Sequence, residues 1–144
     1  MPAALNGGIL NSTRNQAGSL AVHIIGKIDL EKFSAVSPDI ITDEVIITDE
    51  RIGHIQERHP GAYERLAPHL GAVLADPDYI LESKMPFTAE ILKEMESVRG
   101  KVILRVHVPE DPEEFKNSVI TGMMVDEKAW KRLIKNKKVL YKRE

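Results

Sequence analysis

Hydrophobic positions change their spacing along the chain, and the spacing predicts the order of its helices and strands. The apolar run at residues 22–28 is typical of a strand, and residues 45–47 form a further short apolar run. A helix is expected between a cap at Thr48 or Asp49 and the break at Pro60-Gly61, and residues 62–75 have the apolar spacing of a second helix, although Pro68 interrupts it. Two helices are therefore expected before the main run of strands.

Strand-like patterns dominate the second half of the chain. Residues 79–83, 101–108 and 118–125 are typical of strands, whereas residues 88–96 fit a helix or a strand equally well. This order, with helices first and the sheet afterwards, predicts an α+β fold rather than a doubly wound parallel sheet.

Capping and turn residues predict where several elements end. Thr48 or Asp49 can cap the first helix, Pro60-Gly61 ends it, and Asp76-Pro77-Asp78 forms a turn after the second helix.

Near the C-terminus, Asp126 can cap a further helix in which Trp130, Leu133 and Ile134 face the core. Asn136 is a candidate left-handed stop for that helix, and residues 139–141 can add a last strand.

The length of 144 residues fits one domain with a substantial core. Residues 1–20 show no periodicity and are expected to be flexible, so the domain is expected to span residues 21–144. No apolar run is long enough to cross a bilayer and no signal peptide is evident, which favours a cytoplasmic protein without a membrane partner. The absence of cysteine excludes disulfides, thiolate nucleophiles and cysteine-based zinc sites.

The net charge of −2 argues against a protein that binds nucleic acid through its overall charge. Positive charge is concentrated at the C-terminus, where seven of the last fourteen residues are Lys or Arg. There Tyr141 could stack on a base while Lys142 and Arg143 bind phosphates. The alternative is a solvated basic terminus with Tyr141 packed in the core.

The first helix carries the main candidates for chemistry. On a helix Arg51, His54 and Arg58 fall within about 60° of one another, so one face presents an imidazole between two guanidiniums. Histidine can accept or donate a proton near neutral pH, and arginine binds phosphate oxygens. The alternative is an ordinary solvated helix face. His59 precedes Pro60, which places it outside helical geometry and makes it a weaker candidate.

Further polar candidates lie on the predicted strands. Arg105 and His107 share one face of their strand, which is either solvent-exposed or part of a site. Ser118 and Thr121 fall on opposite faces of a regular strand, so only one of them can point into a site.

Other classes of site have little support in the sequence. His54 and His59 diverge by about 140° on a continuous helix, unlike the paired histidines of a zinc helix. There is no phosphate-binding glycine loop, dinucleotide motif or nucleophile elbow. Neither a protein-bound metal nor a cofactor is therefore expected.

Five segments in this order are similar to those of the phage-associated barnase/EndoU/colicin/RelE-like (BECR) nucleases, over about residues 22–144. The resemblance implies a small α+β fold with helices preceding a curved antiparallel sheet, and RNA cleavage without a metal. It also favours a strand at residues 88–96, antiparallel to residues 101–108, and a phosphate-binding role for Thr121. The matching segments are residues 41–55, 58–60, 76–82, 117–121 and 136–144.

Together these observations predict a metal-independent endoribonuclease that cleaves RNA by acid/base transesterification, either phage-encoded or of toxin type. His54, His59, Arg58, Thr121 and Lys142 are the expected catalytic residues. An immunity or antitoxin protein is a possible partner, and the oligomeric state is left open. A module that only binds RNA and a structural domain of a larger protein are the alternatives. The expected substrate-binding residues are Arg51, Arg105, Ser118, Tyr141 and Arg143.

Overall fold

The computed structural model describes residues 21–144; the expected flexibility of residues 1–20 falls outside this part of the chain. Seven strands and four α-helices form the described domain. In chain order they are β1 (Val22–Lys27), β2 (Glu44–Thr48), α1 (Asp49–Arg58), α2 (Ala62–Leu66), a 3₁₀ turn (Ala67–His69), α3 (Leu70–Ala75), β3 (Tyr79–Glu82), β4 (Thr88–Met95), β5 (Val98–Arg105), β6 (Asn117–Met124), α4 (Glu127–Asn136) and β7 (Val139–Lys142).

All seven strands join one sheet in the order β1-β2-β6-β5-β4-β3-β7. Every neighbouring pair is antiparallel except β2 and β6, which run parallel. The α+β class is confirmed. The expectation that helices precede the sheet is wrong, because β1 and β2 come before the helices and extend the same sheet beyond β6.

The sheet curves around the helices. Helix α3 packs against both β1 and β4, although three strands lie between these two in the sheet. At the far edge, the Lys32 ammonium group lies 5.5 Å from the centroid of the Tyr141 ring in β7. The segment that follows β1 therefore reaches the opposite edge of the sheet across the helices.

Several predicted element ends are confirmed. The Thr48 hydroxyl accepts a hydrogen bond from the Arg51 amide and caps α1, and Asp126 caps α4 through the Ala129 amide. Residues 88–96 form a strand, which pairs antiparallel with β5. Pro68 divides the predicted second helix, because a proline has no amide hydrogen for the helical ladder.

Two predicted ends are wrong. The stop at Asn136 is not left-handed, since α4 runs through Asn136 and Lys137 continues in an extended conformation. Strand β5 covers residues 98–105 rather than 101–108, because the β4–β5 hairpin pairs Val98 with Met95 at its tight turn.

One side of the sheet, which we call the helical face, is covered by α2 and α3. Leu66 of α2 rests on two strand glycines: a Cβ atom built at Gly100 would lie 2.5 Å from Leu66 Cδ2, and one at Gly122 would lie 3.2 Å from Cδ1. Glycine inside a strand permits such close approach. The helical face forms the core, with Val73, Leu74, Ile80, Ala89, Ile91, Val102 and Leu104 all at 0% exposure.

Candidate active site on the polar face of the sheet

The opposite side of the sheet, which we call the polar face, is partly covered by α4 and otherwise open. Trp130 of α4 packs edge-on against Tyr79 of β3, with 5.9 Å between the ring centroids. The polar face carries Glu90, Lys101, Ile103, Arg105, Ser118, Thr121 and Met123, as the strand pairing shows.

A β-bulge brings two predicted site residues to this face. The register of β5 against β6 shifts between Ile103, opposite Thr121, and Leu104, opposite Val119. The unpaired residue, Ile120, interrupts the alternation of side chains. The expectation that only one of Ser118 and Thr121 could point into a site is therefore wrong: both lie on the polar face, because the strand is not regular.

A buried ionic cluster lies at the centre of the polar face. Glu90, whose side chain is only 8% exposed, accepts contacts from Lys101 Nζ at 3.4 Å and Lys137 Nζ at 2.9 Å. Lys101 is the diagonal neighbour of Glu90 on β5, and Lys137 reaches Glu90 from the end of α4. We call these three residues the Glu90 cluster.

Thr121 lies on the polar face in line with Glu90, across the strands from it. Ile103 pairs with Thr121 on one side and with Glu90 on the other, so Thr121 and Glu90 are two strand spacings apart, about 10 Å. Thr121 Oγ1 is buried and has no hydrogen-bond partner among the described residues. The hydroxyl and the cluster therefore flank Ile103, with the hydroxyl covered by its neighbours.

The Glu90 cluster was not among the site residues predicted from the sequence. A signal was present, because Glu90 interrupts an otherwise apolar stretch, Ala89-Glu90-Ile91-Leu92. Charged residues are rarely buried unless they are paired. Its partners come from another strand and from a distant helix, which only the folded chain brings together.

Arg105, predicted to bind substrate, lies on the polar face in a fixed position. Its guanidinium donates two 2.8 Å hydrogen bonds to the Asp111 carboxylate and another to the Val106 carbonyl. It also stacks between the rings of Phe87 and Phe115, at 5.2 and 5.9 Å from the two centroids. Its charge is therefore largely balanced within the protein.

The contacts with Arg105 also lower the pKa of Asp111. The hydrogen bonds from Arg105, followed by one from the Val108 amide, outweigh the effect of burial and hold the pKa of Asp111 below its usual value. Asp111 thus remains ionised at neutral pH and fixes the loop that connects β5 to β6.

Asn117, at the start of β6, has a structural role. Its side chain accepts a hydrogen bond from the His107 amide and donates to the carbonyls of Thr42 and Glu44. It is fully buried and joins three segments of the chain. These bonds fix the start of β6 and therefore the positions of Ser118 and Thr121.

Helix α1, which carries Arg51, His54 and Arg58, packs against β6 through its buried side. Ile55 is buried, and Gln56 donates to Glu64 of α2 at 2.8 Å, which identifies the side of α1 that faces α2. Arg51, His54 and Arg58 lie about 140° to 200° from Gln56 around the helix, on the flank directed away from α2. The helix packs against β2, β6 and α2.

His59 lies outside the helix, as its position before Pro60 predicts. Its amide closes the last turn of α1 by donating to the Ile55 carbonyl, and its backbone is not helical. Its side chain is half-buried.

The predicted residues of the C-terminal tail do not converge with α1. Strands β5, β4 and β3 separate β6, on which α1 packs, from β7, a distance of about 19 Å along the sheet. Tyr141 packs against the core, as the alternative interpretation of the tail expects. Lys142 is exposed and pairs in register with Tyr79.

Arg143 belongs to a separate ionic cluster. Its guanidinium contacts Asp76 at 3.3 Å and Asp78 at 3.8 Å. Although burial opposes the shift, attraction from Lys93 and Arg143, together with a hydrogen bond from Lys32, holds the pKa of Asp76 below its usual value. Arg143 therefore links the chain end to the turn before β3.

Within residues 21–144, no three His, Asp or Glu side chains lie close enough to hold a metal ion together. None of the helices in this part of the chain is long and apolar enough to cross a membrane.

Similarity to known proteins is found at the level of a family. No curated protein and no solved structure matches the chain. Residues 21–142 match the family model PBECR2, the phage-Barnase-EndoU-ColicinE5/D-RelE like nuclease 2 family. This match covers nearly all of the described domain, and the chain therefore belongs to this family of BECR-type nucleases.

Proposed function

We propose that the protein is a metal-independent endoribonuclease whose active site lies on the polar face, above Ile103. The observation that carries this proposal is the Glu90 cluster, with a buried carboxylate held by two lysines in the same row as the Thr121 hydroxyl. Membership of the nuclease family supports a nucleic acid as the substrate.

The reaction requires a base, an acid and positive charge. The 2′-hydroxyl of RNA attacks the adjacent phosphorus as it loses its proton, and the bond to the 5′-oxygen breaks as that oxygen gains a proton. The products are a 2′,3′-cyclic phosphate and a 5′-hydroxyl. Proton transfer by positioned side chains contributes about 10²- to 10⁴-fold to such reactions.

The residues of the Glu90 cluster and Thr121 each have a proposed role. Glu90 accepts the proton of the 2′-hydroxyl, and Lys101 and Lys137 stabilise the negative charge that develops on the phosphate oxygens. The Thr121 hydroxyl, which is buried and has no partner within the described chain, donates to one of these oxygens once the substrate displaces the side chains that cover it.

His54 is the proposed proton donor to the leaving oxygen. It lies on α1, whose Ile55 packs in the core of the helical face beside the part of β6 that β2 leaves unpaired, so this role requires the RNA to extend from the Glu90 cluster past β6 to α1. Arg51 and Arg58 share the flank of His54 and bind the phosphate on the same side. His59, Ser118 and Arg105 are proposed to orient the substrate, while Tyr141, Lys142 and Arg143 lie at the other edge of the sheet and are proposed only as distant contacts.

The test compares Glu90→Gln and His54→Ala with two matched controls. Glu94→Gln removes an exposed carboxylate from the same strand, and His69→Ala removes a half-buried histidine from the 3₁₀ turn. Both site variants should lower kcat on an RNA oligonucleotide by about 10²- to 10⁴-fold, with binding of an uncleavable analogue nearly unchanged. The two controls should retain wild-type turnover.

Two further measurements separate this proposal from its alternatives. Cleavage should persist in excess EDTA and leave cyclic-phosphate ends; loss with chelator and recovery with a divalent ion would indicate metal-assisted hydrolysis instead. A wild-type protein that binds RNA but does not cleave it between pH 5 and 9 would be a binding module. Full turnover by Glu90→Gln would contradict the role of Glu90.

A further inference from the structure

Positive and negative residues are unevenly distributed along the chain. Residues 127–144 contain eight Lys or Arg and two Glu, whereas residues 1–126 contain twelve Lys or Arg and twenty Asp or Glu. The body of the molecule is therefore acidic, and its positive charge is concentrated on α4 and β7. A polyanion is repelled by most of the surface and attracted to this part.

The outer side of α4 carries four cations in one stripe. Lys128, Lys131, Arg132 and Lys135 are spaced i, i+3, i+4 and i+7, which places them within an arc of about 100°. All four side chains are exposed. We call them the α4 stripe.

The inner side of α4 holds the helix against the sheet. Trp130, Leu133 and Ile134 are half-buried, and Lys137 reaches Glu90. The α4 stripe therefore lies on the side of the helix opposite the proposed active site, about one helix diameter away, which is about 10 Å.

Most of the stripe has no acidic partner. Lys131 pairs with Glu127 at 3.2 Å, and both side chains are highly exposed, so this contact is weak. Among residues 21–144, no Asp or Glu forms an ion pair with Lys128, Arg132 or Lys135. Their charges are available to a ligand.

We propose that the α4 stripe is an exosite for the phosphate backbone of a polynucleotide, separate from the cleavage site. From its first to its last residue the stripe spans about 10 Å, a length over which a nucleic acid duplex presents about six phosphates. Lysine is depleted from protein–protein interfaces, whereas lysine and arginine dominate contacts to phosphates. Three of the four residues are lysines and none is apolar, which favours nucleic acid over a protein partner.

This proposal rests on the proposed function and specifies its substrate. Because a helix diameter separates the α4 stripe from the Glu90 cluster, a dinucleotide can occupy only one of them. A longer or folded RNA can occupy both and should bind more tightly. The preferred substrate is therefore a long polynucleotide, held outside the cleavage site through its backbone.

The experiment compares two triple variants, each of which loses three positive charges. Lys128→Gln/Arg132→Gln/Lys135→Gln removes the three unpaired cations of the stripe, and Lys27→Gln/Lys84→Gln/Lys116→Gln removes three exposed lysines elsewhere. A 30-nucleotide 2′-O-methyl RNA hairpin, which lacks the 2′-hydroxyl nucleophile, serves as the probe. Its affinity is measured between 50 and 300 mM KCl, together with cleavage of an RNA dinucleotide.

The stripe variant should reduce the slope of log K against log salt by about 2 to 3 and weaken binding by on the order of 10²-fold at 0.1 M salt. The control variant should change the slope much less, and dinucleotide cleavage should be unaffected in both. Trp130, the only tryptophan, lies on the inner side of α4, so unchanged tryptophan fluorescence shows that α4 remains docked.

Several outcomes would overturn the exosite. Equal losses in the two variants would show a general effect of charge, and no loss in either would show a merely solvated helix face. Poly-glutamate that competes as well as RNA of equal charge would indicate an acidic protein partner instead. If the wild type binds but does not cleave, and the stripe variant still loses its salt slope, the exosite stands while the proposed nuclease activity fails.

Discussion

The two faces of the sheet are held by different interactions, although they are built from alternate residues of the same strands. On β5, Val102 and Leu104 are fully buried beneath the helices, while the intervening Lys101, Ile103 and Arg105 are half-buried on the polar face. The helical face is closed by apolar packing. The polar face combines apolar packing at Leu81 and Leu92, near α4, with charged side chains that pair with Glu90 and Asp111.

Because of this difference, substitutions on the two faces should affect different properties of the protein. Burial of apolar surface contributes roughly 25 cal/mol for each Å², whereas a buried ion pair contributes little net stability because its desolvation offsets its attraction. We therefore expect changes on the helical face to alter the free energy of unfolding, and changes on the polar face to alter turnover.

The largest effect on stability is expected at Leu66. Leu66→Ala leaves a space above Gly100 and Gly122, where no strand side chain can fill it, and should lower the free energy of unfolding by about 2 to 5 kcal/mol. Urea denaturation measures this change. The turnover of the molecules that remain folded should equal that of the wild type.

A second substitution tests the cause of this loss. Gly100→Ala alone should destabilise, because its Cβ would lie 2.5 Å from Leu66 Cδ2. In the Leu66→Ala background the same methyl group enters vacated space and should restore part of the stability. Additive losses in the double variant would show that Leu66 does not pack on Gly100.

Much of the helical face could be predicted from the sequence. Apolar alternation, the Thr48 cap and the Asp76-Pro77-Asp78 turn are local signals, and each gave an element close to its observed position. The expected order of helices and sheet failed because pairing between β2 and β6 joins residues more than 70 positions apart. No local pattern specifies such a contact.

Less of the polar face could be predicted. Thr121 and Ser118 were identified as candidates, but their shared face depends on the bulge at Ile120, which the alternation of side chains does not reveal. Glu90 and Lys137 meet because α4 lies against the sheet, with Trp130 on Tyr79 of β3 and Lys137 at Glu90 of β4. His54 and Lys142, both expected to be catalytic, lie far apart because β7 joins the far edge of the sheet.

An intermediate effect is expected at Asp111. Asp111→Asn keeps the shape of the side chain but removes its charge, and loss of a charge-assisted hydrogen bond costs about 1.5 to 3 kcal/mol. Because folding lowers the pKa of Asp111, the wild type gains this stability above the unfolded pKa of about 3.9 and loses it as the pH falls through the folded value.

Urea denaturation at pH 7, 5, 4 and 3 measures the pH dependence of both proteins. The difference between the wild type and Asp111→Asn should be full at pH 7 and 5 and should shrink as the pH falls below about 4. A difference that stays constant down to pH 3 would show that Asp111 does not carry this charge effect.

The smallest effect on stability is expected where the effect on function is largest. Glu90→Met combined with Lys101→Met replaces a largely buried ion pair with apolar side chains that reach into the same space. Such replacements are often neutral or stabilise by about 1 to 4 kcal/mol, whereas removal of one partner leaves a buried charge unpaired. Lys137, about a quarter exposed, can turn its ammonium group to solvent when Glu90 is lost. The double variant should therefore unfold at a urea concentration equal to or above that of the wild type, without measurable RNA cleavage. A marked loss of stability would show that the polar face also holds the fold together, and the division between the two faces would then be wrong.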